Sequence, residues 1–134
     1  MNECAELFAD FLTSKGLTFD TTIDSDGDSL VNFPYDGRIA RCYFSGDDGR
    51  YLTIYYYFEN TPEDKVPDLI YTCNELNSQY KWVRFYLDND NDIVLQSDAL
   101  LTPMSAADVA FEILVRLLDI GKEAKPTIMK AIYG

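Results

Sequence analysis

The segment from Tyr51 to Phe58, Tyr-Leu-Thr-Ile-Tyr-Tyr-Tyr-Phe, constrains this chain more than any other. It is built from aromatic and β-branched residues, which suit a pleated, half-buried surface. Read at a period of two, Tyr51, Thr53, Tyr55 and Tyr57 face one way, and Leu52, Ile54, Tyr56 and Phe58 the other. Similar runs lie around it. Ile39–Phe44 splits into Ala40, Cys42 and Phe44 against Ile39, Arg41 and Tyr43. Lys81–Leu87 splits into Lys81, Val83, Phe85 and Leu87 against Trp82, Arg84 and Tyr86. The more aliphatic set is expected to pack beneath helices. Tyr43, Tyr55, Tyr57, Trp82 and Tyr86, with Arg41 and Arg84, are then left on the opposite face.

Strand-like runs at Leu17–Ile23 and Ser29–Phe33 flank the turn sequence Asp24-Ser25-Asp26-Gly27-Asp28. Tyr35-Asp36-Gly37-Arg38 and Gly46-Asp47-Asp48-Gly49 are further turns, and Trp82–Asp88 and Asp92–Leu100 form a hairpin around Asn89-Asp90-Asn91. Helical spacing of Cys4, Leu7, Phe8, Phe11 and Leu12 predicts a first helix over 3–15, with Gly16 just past its end. The stripe Val66, Leu69, Ile70, Cys73, Leu76, Asn77 and Tyr80 predicts a second over about 62–79. Ser105 opens a third that runs to about Ile120, where Gly121 is expected to end it, and a last short helix covers about 124–132. The order is α-β-β-β-β-α-β-β-α-α. Strands joined by short turns favour an antiparallel sheet covered by helices, an α+β fold in a single domain over 1–134. Its core is expected to contain Phe8, Phe11, Leu69, Ile70, Cys73, Leu76, Phe85, Leu114 and Leu118.

Composition narrows the chemistry. Eleven Lys and Arg face twenty-three Asp and Glu, a formal charge of −12. Such a surface repels phosphate backbones, so no nucleic-acid partner is expected. Histidine is absent, which removes Ser-His-Asp and Cys-His nucleophile systems and the near-neutral acid–base group. No phosphate loop, dinucleotide fingerprint or metalloprotease motif occurs, and no cofactor is expected. Cys4, Cys42 and Cys73 are odd in number, widely spaced and set in apolar stretches, as buried thiols of a reducing compartment are. Met1–Glu6 carries neither a basic region nor a long apolar core, and no run is long enough to span a bilayer, so a cytoplasmic location without membrane contact is expected.

The triads Asp24, Asp26, Asp28 and Asp88, Asp90, Asp92 have the odd spacing of a calcium loop. Ser29 and Ile93 stand where an EF-hand needs Gly, and Tyr35 and Ala99 where it needs a bidentate Glu. They read as solvated hairpin tips, and no metal ligands are assigned. A loose divalent-cation or small-ligand sensor, or an uncharacterised enzyme using these tips, is the alternative to a binding module. Aromatic residues and Arg are enriched at binding hot spots. Arg41, Tyr43, Tyr55, Tyr57, Trp82, Arg84 and Tyr86 are therefore the candidate protein-binding residues. The third helix is apolar almost all round, and Phe111 and Val115 on its outer side are the candidate homodimer interface.

The segments Cys73-Asn74-Glu75-Leu76-Asn77, Trp82-Val83-Arg84-Phe85-Tyr86-Leu87-Asp88 and Asp92-Ile93-Val94-Leu95 resemble the YbjN family of small bacterial proteins. So does the tail, with Leu117-Leu118-Asp119-Ile120, Pro126 and Met129-Lys130-Ala131-Ile132-Tyr133-Gly134. The resemblance runs from about Gly16 onward and is strongest from Pro62 to Gly134. It implies the fold of type III secretion chaperones, which are small, acidic, usually dimeric and bind extended segments of partner proteins. It also implies a sensory-transduction regulator with no established catalysis. The 17–35 hairpin departs from that fold and raises the strand count. The expectation is a non-enzymatic, chaperone-like protein-binding or regulatory module.

Overall fold

A computed structural model describes residues 1–134. The sheet is a meander extended by a crossover. Strands β1 (Asp20–Ile23), β2 (Ser29–Tyr35), β3 (Arg38–Ser45) and β4 (Tyr51–Asn60) pair in sequence. The chain then passes through a 3₁₀ turn, Glu63–Lys65, and helix α2 (Val66–Gln79). It reaches the outer strand β5 (Arg84–Leu87) and turns back as β6 (Asp92–Leu100) into the gap beside β4. The order is β1-β2-β3-β4-β6-β5, antiparallel throughout. Short turns make antiparallel neighbours cheaply; α2 is the length of chain needed to skip one strand position.

Helices α1 (Glu3–Ser14), α2 and α3 (Ala106–Tyr133) cover one face, with α3 contacting both others. The expected alternation holds there. Ala40, Cys42 and Phe44, then Leu52, Ile54, Tyr56 and Phe58, are buried beneath the helices with Phe85, Ile93 and Leu95. From the helices come Phe8, Leu12, Leu69, Cys73, Leu76, Leu114 and Leu118. All three thiols are buried, and loss of solvation pushes Cys42 up to about 12 and Cys73 to about 11. No helix is long and apolar enough to cross a membrane.

Asn2 joins α1 to the sheet. Its Oδ1 accepts from the Ala5 backbone N–H (3.1 Å) as an N-cap, and its Nδ2 donates to the Phe44 carbonyl (2.8 Å). Its own N–H donates to Ser29 Oγ (2.9 Å). At the opposite edge, Asn77 on α2 closes a reciprocal amide pair with Phe85. The Phe85 N–H donates to Asn77 Oδ1 (2.7 Å), and Asn77 Nδ2 donates to the Phe85 carbonyl (2.9 Å). A side-chain amide thus takes the place of a neighbouring strand on β5.

Four expectations need correction. The two C-terminal helices are one: α3 continues through Gly121 and Pro126. Gly121 is buried, and an added Cβ would lie 3.2 Å from Leu95 Cδ2. It serves close approach of helix to sheet rather than helix termination. Pro126 forgoes only the backbone bond to Lys122. Ile70 is 57% exposed, because Leu69, Cys73 and Leu76 set the buried stripe and Ile70 falls one residue outside it. Phe11 is only partly buried, edge-on to Phe111 at 5.3 Å. β1 begins at Asp20 rather than Leu17, while Leu17 and Phe19 fold back against the core.

Candidate binding face

The face of the sheet away from the helices carries the other half of the alternation. Register places residues on it in transverse rows. One row reads Asp20, Asn32, Arg41, Tyr55, Gln96, Arg84 from β1 to β5. A flanking row contains Leu30, Tyr43, Thr53 and Asp98, and another Tyr57, Val94 and Tyr86. Tyr43 and Tyr55 meet edge-on at 5.5 Å, and Tyr55 stacks with Tyr57 at 6.3 Å. The tyrosines are large enough to bury what lies between them. Val94 is 1% exposed and Gln96 8%, although no helix covers either.

Polar groups on this face are joined into two clusters. Gln96 Oε1 accepts from Arg84 (2.8 Å) and from the Tyr86 hydroxyl (2.7 Å), while its Nε2 donates to Asp98. Thr53 Oγ1 also donates to Asp98 (2.9 Å). Arg84 lies 5.1 Å from the Tyr86 ring centroid. Across the tyrosines, Arg41 donates to Asn32 Oδ1 (3.3 Å) and Asn32 Nδ2 to Asp20 (2.8 Å). Burial raises the Tyr57 and Tyr86 hydroxyls above their ordinary ionisation, and neighbouring tyrosines and Asp88 add to the effect. Tyr57 and Tyr86 are therefore neutral phenols at neutral pH, on the same face as the guanidinium groups of Arg41 and Arg84.

Six of the seven residues expected here share this face: Arg41, Tyr43, Tyr55, Tyr57, Arg84 and Tyr86. Trp82 does not. Its backbone is left-handed (φ 75°), which breaks the strand alternation two residues before β5. Its ring lies near Arg116 of α3, 5.9 Å from the guanidinium carbon, and is 61% exposed. Thr53 shares the face, as the alternation in 51–58 expects, whereas Asn32, Gln96 and Asp98 belong to it and were missed. The period of two in 92–100, which puts Val94, Gln96 and Asp98 on one side, carried that signal.

On α3, Val115 is exposed and Phe111 half-buried. They line an apolar groove of about 330 Å³ with Leu17, Phe33, Leu114 and Leu118, between α3 and β2. The carboxylates of each acidic triad converge within 4.8 Å. Both loops use them to hold their own backbone: Asp24 Oδ1 accepts from Asp26 and Asp28 N–H, and Asp88 Oδ1 from Asp90 and Asp92 N–H, at 2.9–3.0 Å. Strand direction puts the triads at opposite ends of the sheet.

In three dimensions the chain is similar to a chain of the ExsC–ExsE complex, with a TM-score of 0.63 at 16% identity over 96% of this chain and 97% of that one. It is also similar to a chain of the Yersinia pestis type III secretion chaperone SycH in complex with a fragment of YscM2. There the TM-score is 0.51 at 12% identity over 87% and 98%. At these identities the likeness is one of fold. No curated protein matches the sequence. The model of the YbjN family, described as "Putative bacterial sensory transduction regulator", matches residues 5–131, nearly the whole length, and the chain belongs to that family.

Proposed function

We propose that this protein is a non-enzymatic, chaperone-like binding module of the bacterial cytoplasm that holds an extended segment of a partner protein on the open face of its sheet. The observation that carries the reading is the cluster of tyrosines on the open face of a sheet whose other face packs against the three helices. A layer of aromatic rings with satisfied polar groups between them can take up a polypeptide at small desolvation cost. The fold likeness supports it: SycH is a chaperone bound to a partner fragment, and ExsC is in complex with ExsE. The absence of histidine supports a role without acid–base chemistry.

A photo-crosslinking residue at Tyr57, on the face, and another at Glu112, on α3, test the reading in the native bacterium. A discrete protein adduct from position 57, lost on Tyr55→Asp, is expected. Adducts from position 112 alone would move the site to the helices. Self-association is part of the same proposal, through the groove that holds Phe111 and Val115. Phe111→Asp then yields a monomer in sedimentation, and a dimer lost on Tyr55→Asp instead would put the contact on the sheet.

A further inference from the structure

The chain has two carboxylates for each basic side chain, yet two of its arginines are left without one. Arg38 pairs with Asp36 and Glu59, Arg50 with Asp48, and Arg116 with Glu112. Arg41 and Arg84 have no carboxylate within 4 Å. Each is steadied by a neutral amide, Asn32 or Gln96. They stand in one transverse row, on either side of Tyr55 and Gln96. The acids of the same face are otherwise committed: Asp20 to Asn32, Asp98 to Thr53 and Gln96, and Asp88 to the backbone of its own turn.

A guanidinium has five N–H donors in a fork that matches a carboxylate, and one amide contact leaves most of them free. Three strand spacings separate β3 from β5, which places the two guanidinium stems roughly 14 Å apart. An extended chain advances about 3.3–3.6 Å per residue, so four residues cover that distance. Residues i, i+2 and i+4 of such a chain share one side.

We infer that the open face recognises an acidic extended segment, with carboxylates at i and i+4 meeting Arg41 and Arg84 and an apolar or aromatic residue at i+2 over Tyr55. This rests on the reading of that face as the partner-binding surface and adds the chemistry of the partner. The same two charges would attract a phosphate backbone, but the surrounding −12 chain opposes a polyanion far more than a segment carrying two charges.

The test uses the full chain and the probe Ac-Ser-Glu-Thr-Phe-Thr-Glu-Ser-NH₂, titrated to millimolar concentration and followed by tyrosine ring and arginine side-chain NMR. Controls are the same peptide with Gln for both Glu and an oligothymidylate. The acidic peptide is expected to bind at least several-fold tighter than the Gln peptide, with the gap closing at high salt. Arg41→Gln and Arg84→Gln should each weaken it about three-fold and together about ten-fold, while the Gln peptide is unaffected. Thermal melts check that the variants stay folded. Equal binding of both peptides, with loss on Tyr55→Ser, would overturn the charge preference and leave the surface standing. Absence of any peptide-induced shift at the tyrosines would overturn both. Tighter binding of the oligothymidylate would overturn the choice of a polypeptide.

Discussion

Gly49 packs directly on the side chain of Asn2, and the pair lends itself to a double-mutant cycle. A Cβ built on Gly49 would lie 2.0 Å from Asn2 Oδ1 and 2.4 Å from its Cγ, so Gly49→Ala must expel the Asn2 side chain. The backbone at Gly49 is also left-handed (φ 75°), which costs an L-residue about 1 kcal/mol. Expelling Asn2 removes the N-cap of α1 and the bond to the Phe44 carbonyl, about 1 kcal/mol each. Gly49→Ala should therefore destabilise by about 3 kcal/mol and Asn2→Ala by about 2 kcal/mol. In the double variant the clash has no target, so the total should stay near 3 kcal/mol instead of the additive 5, a coupling of about 2 kcal/mol. Urea unfolding with an unchanged m-value measures this. Additive losses would refute the argument that Gly49 is there to admit Asn2.

Leu114→Ala, at a side chain 1% exposed beneath α3, should cost about 2–5 kcal/mol in the same assay. Asp36 accepts from Lys125 at 3.0 Å and its carboxyl is held below its ordinary value, chiefly by that hydrogen bond. A lowered folded pKa contributes stability above the unfolded value and loses it as pH falls through the folded one. Lys125→Met should therefore lower the neutral plateau modestly and leave stability at the acid end little changed, so that the acid limb below about pH 4 becomes flatter. Calcium at low micromolar concentration should do no more than magnesium at the Asp24–Asp28 and Asp88–Asp92 tips, because their first carboxylates are turned onto the backbone. A single tight, calcium-selective isotherm in calorimetry would contradict this.

The sheet was readable because its central strands β3 and β4 repeat at two residues and their two faces are chemically distinct. Tyr51–Phe58 shows this best, since its aliphatic side could only go under helices. Reading failed where one residue type serves two purposes. A glycine after an apolar helical run looks like a stop, yet Gly121 is an internal contact point, and only the nearness of Leu95 on β6 decides between them. Trp82 reads as a strand residue by type, but its left-handed backbone turns it toward Arg116. Ile70 sits 100° from Leu69 on the helix, and the width of the buried stripe is set by how close α2 lies to β5, which is a tertiary fact. The binding face was legible in its aromatic members and not in Gln96 or Asn32, whose importance comes from register across the sheet.

The strand order also shapes how the chain comes into being. β6 is an interior strand, set between β4 and the edge strand β5, but is made after β5, so β4 has a bare edge until Leu100 has been made. Forty residues separate Asn60 from Leu100, a wait of roughly 2–8 s at ribosomal speeds of about 5–20 residues per second. During that interval a nascent four-stranded meander exposes both an unpaired edge and the apolar face destined for α3. Its two outer rims are a short strand and an open ladder, the arrangement most prone to pairing with another nascent copy. Slow translation between α2 and β6 should lower soluble yield, and synonymous codon changes confined to that stretch would reveal it.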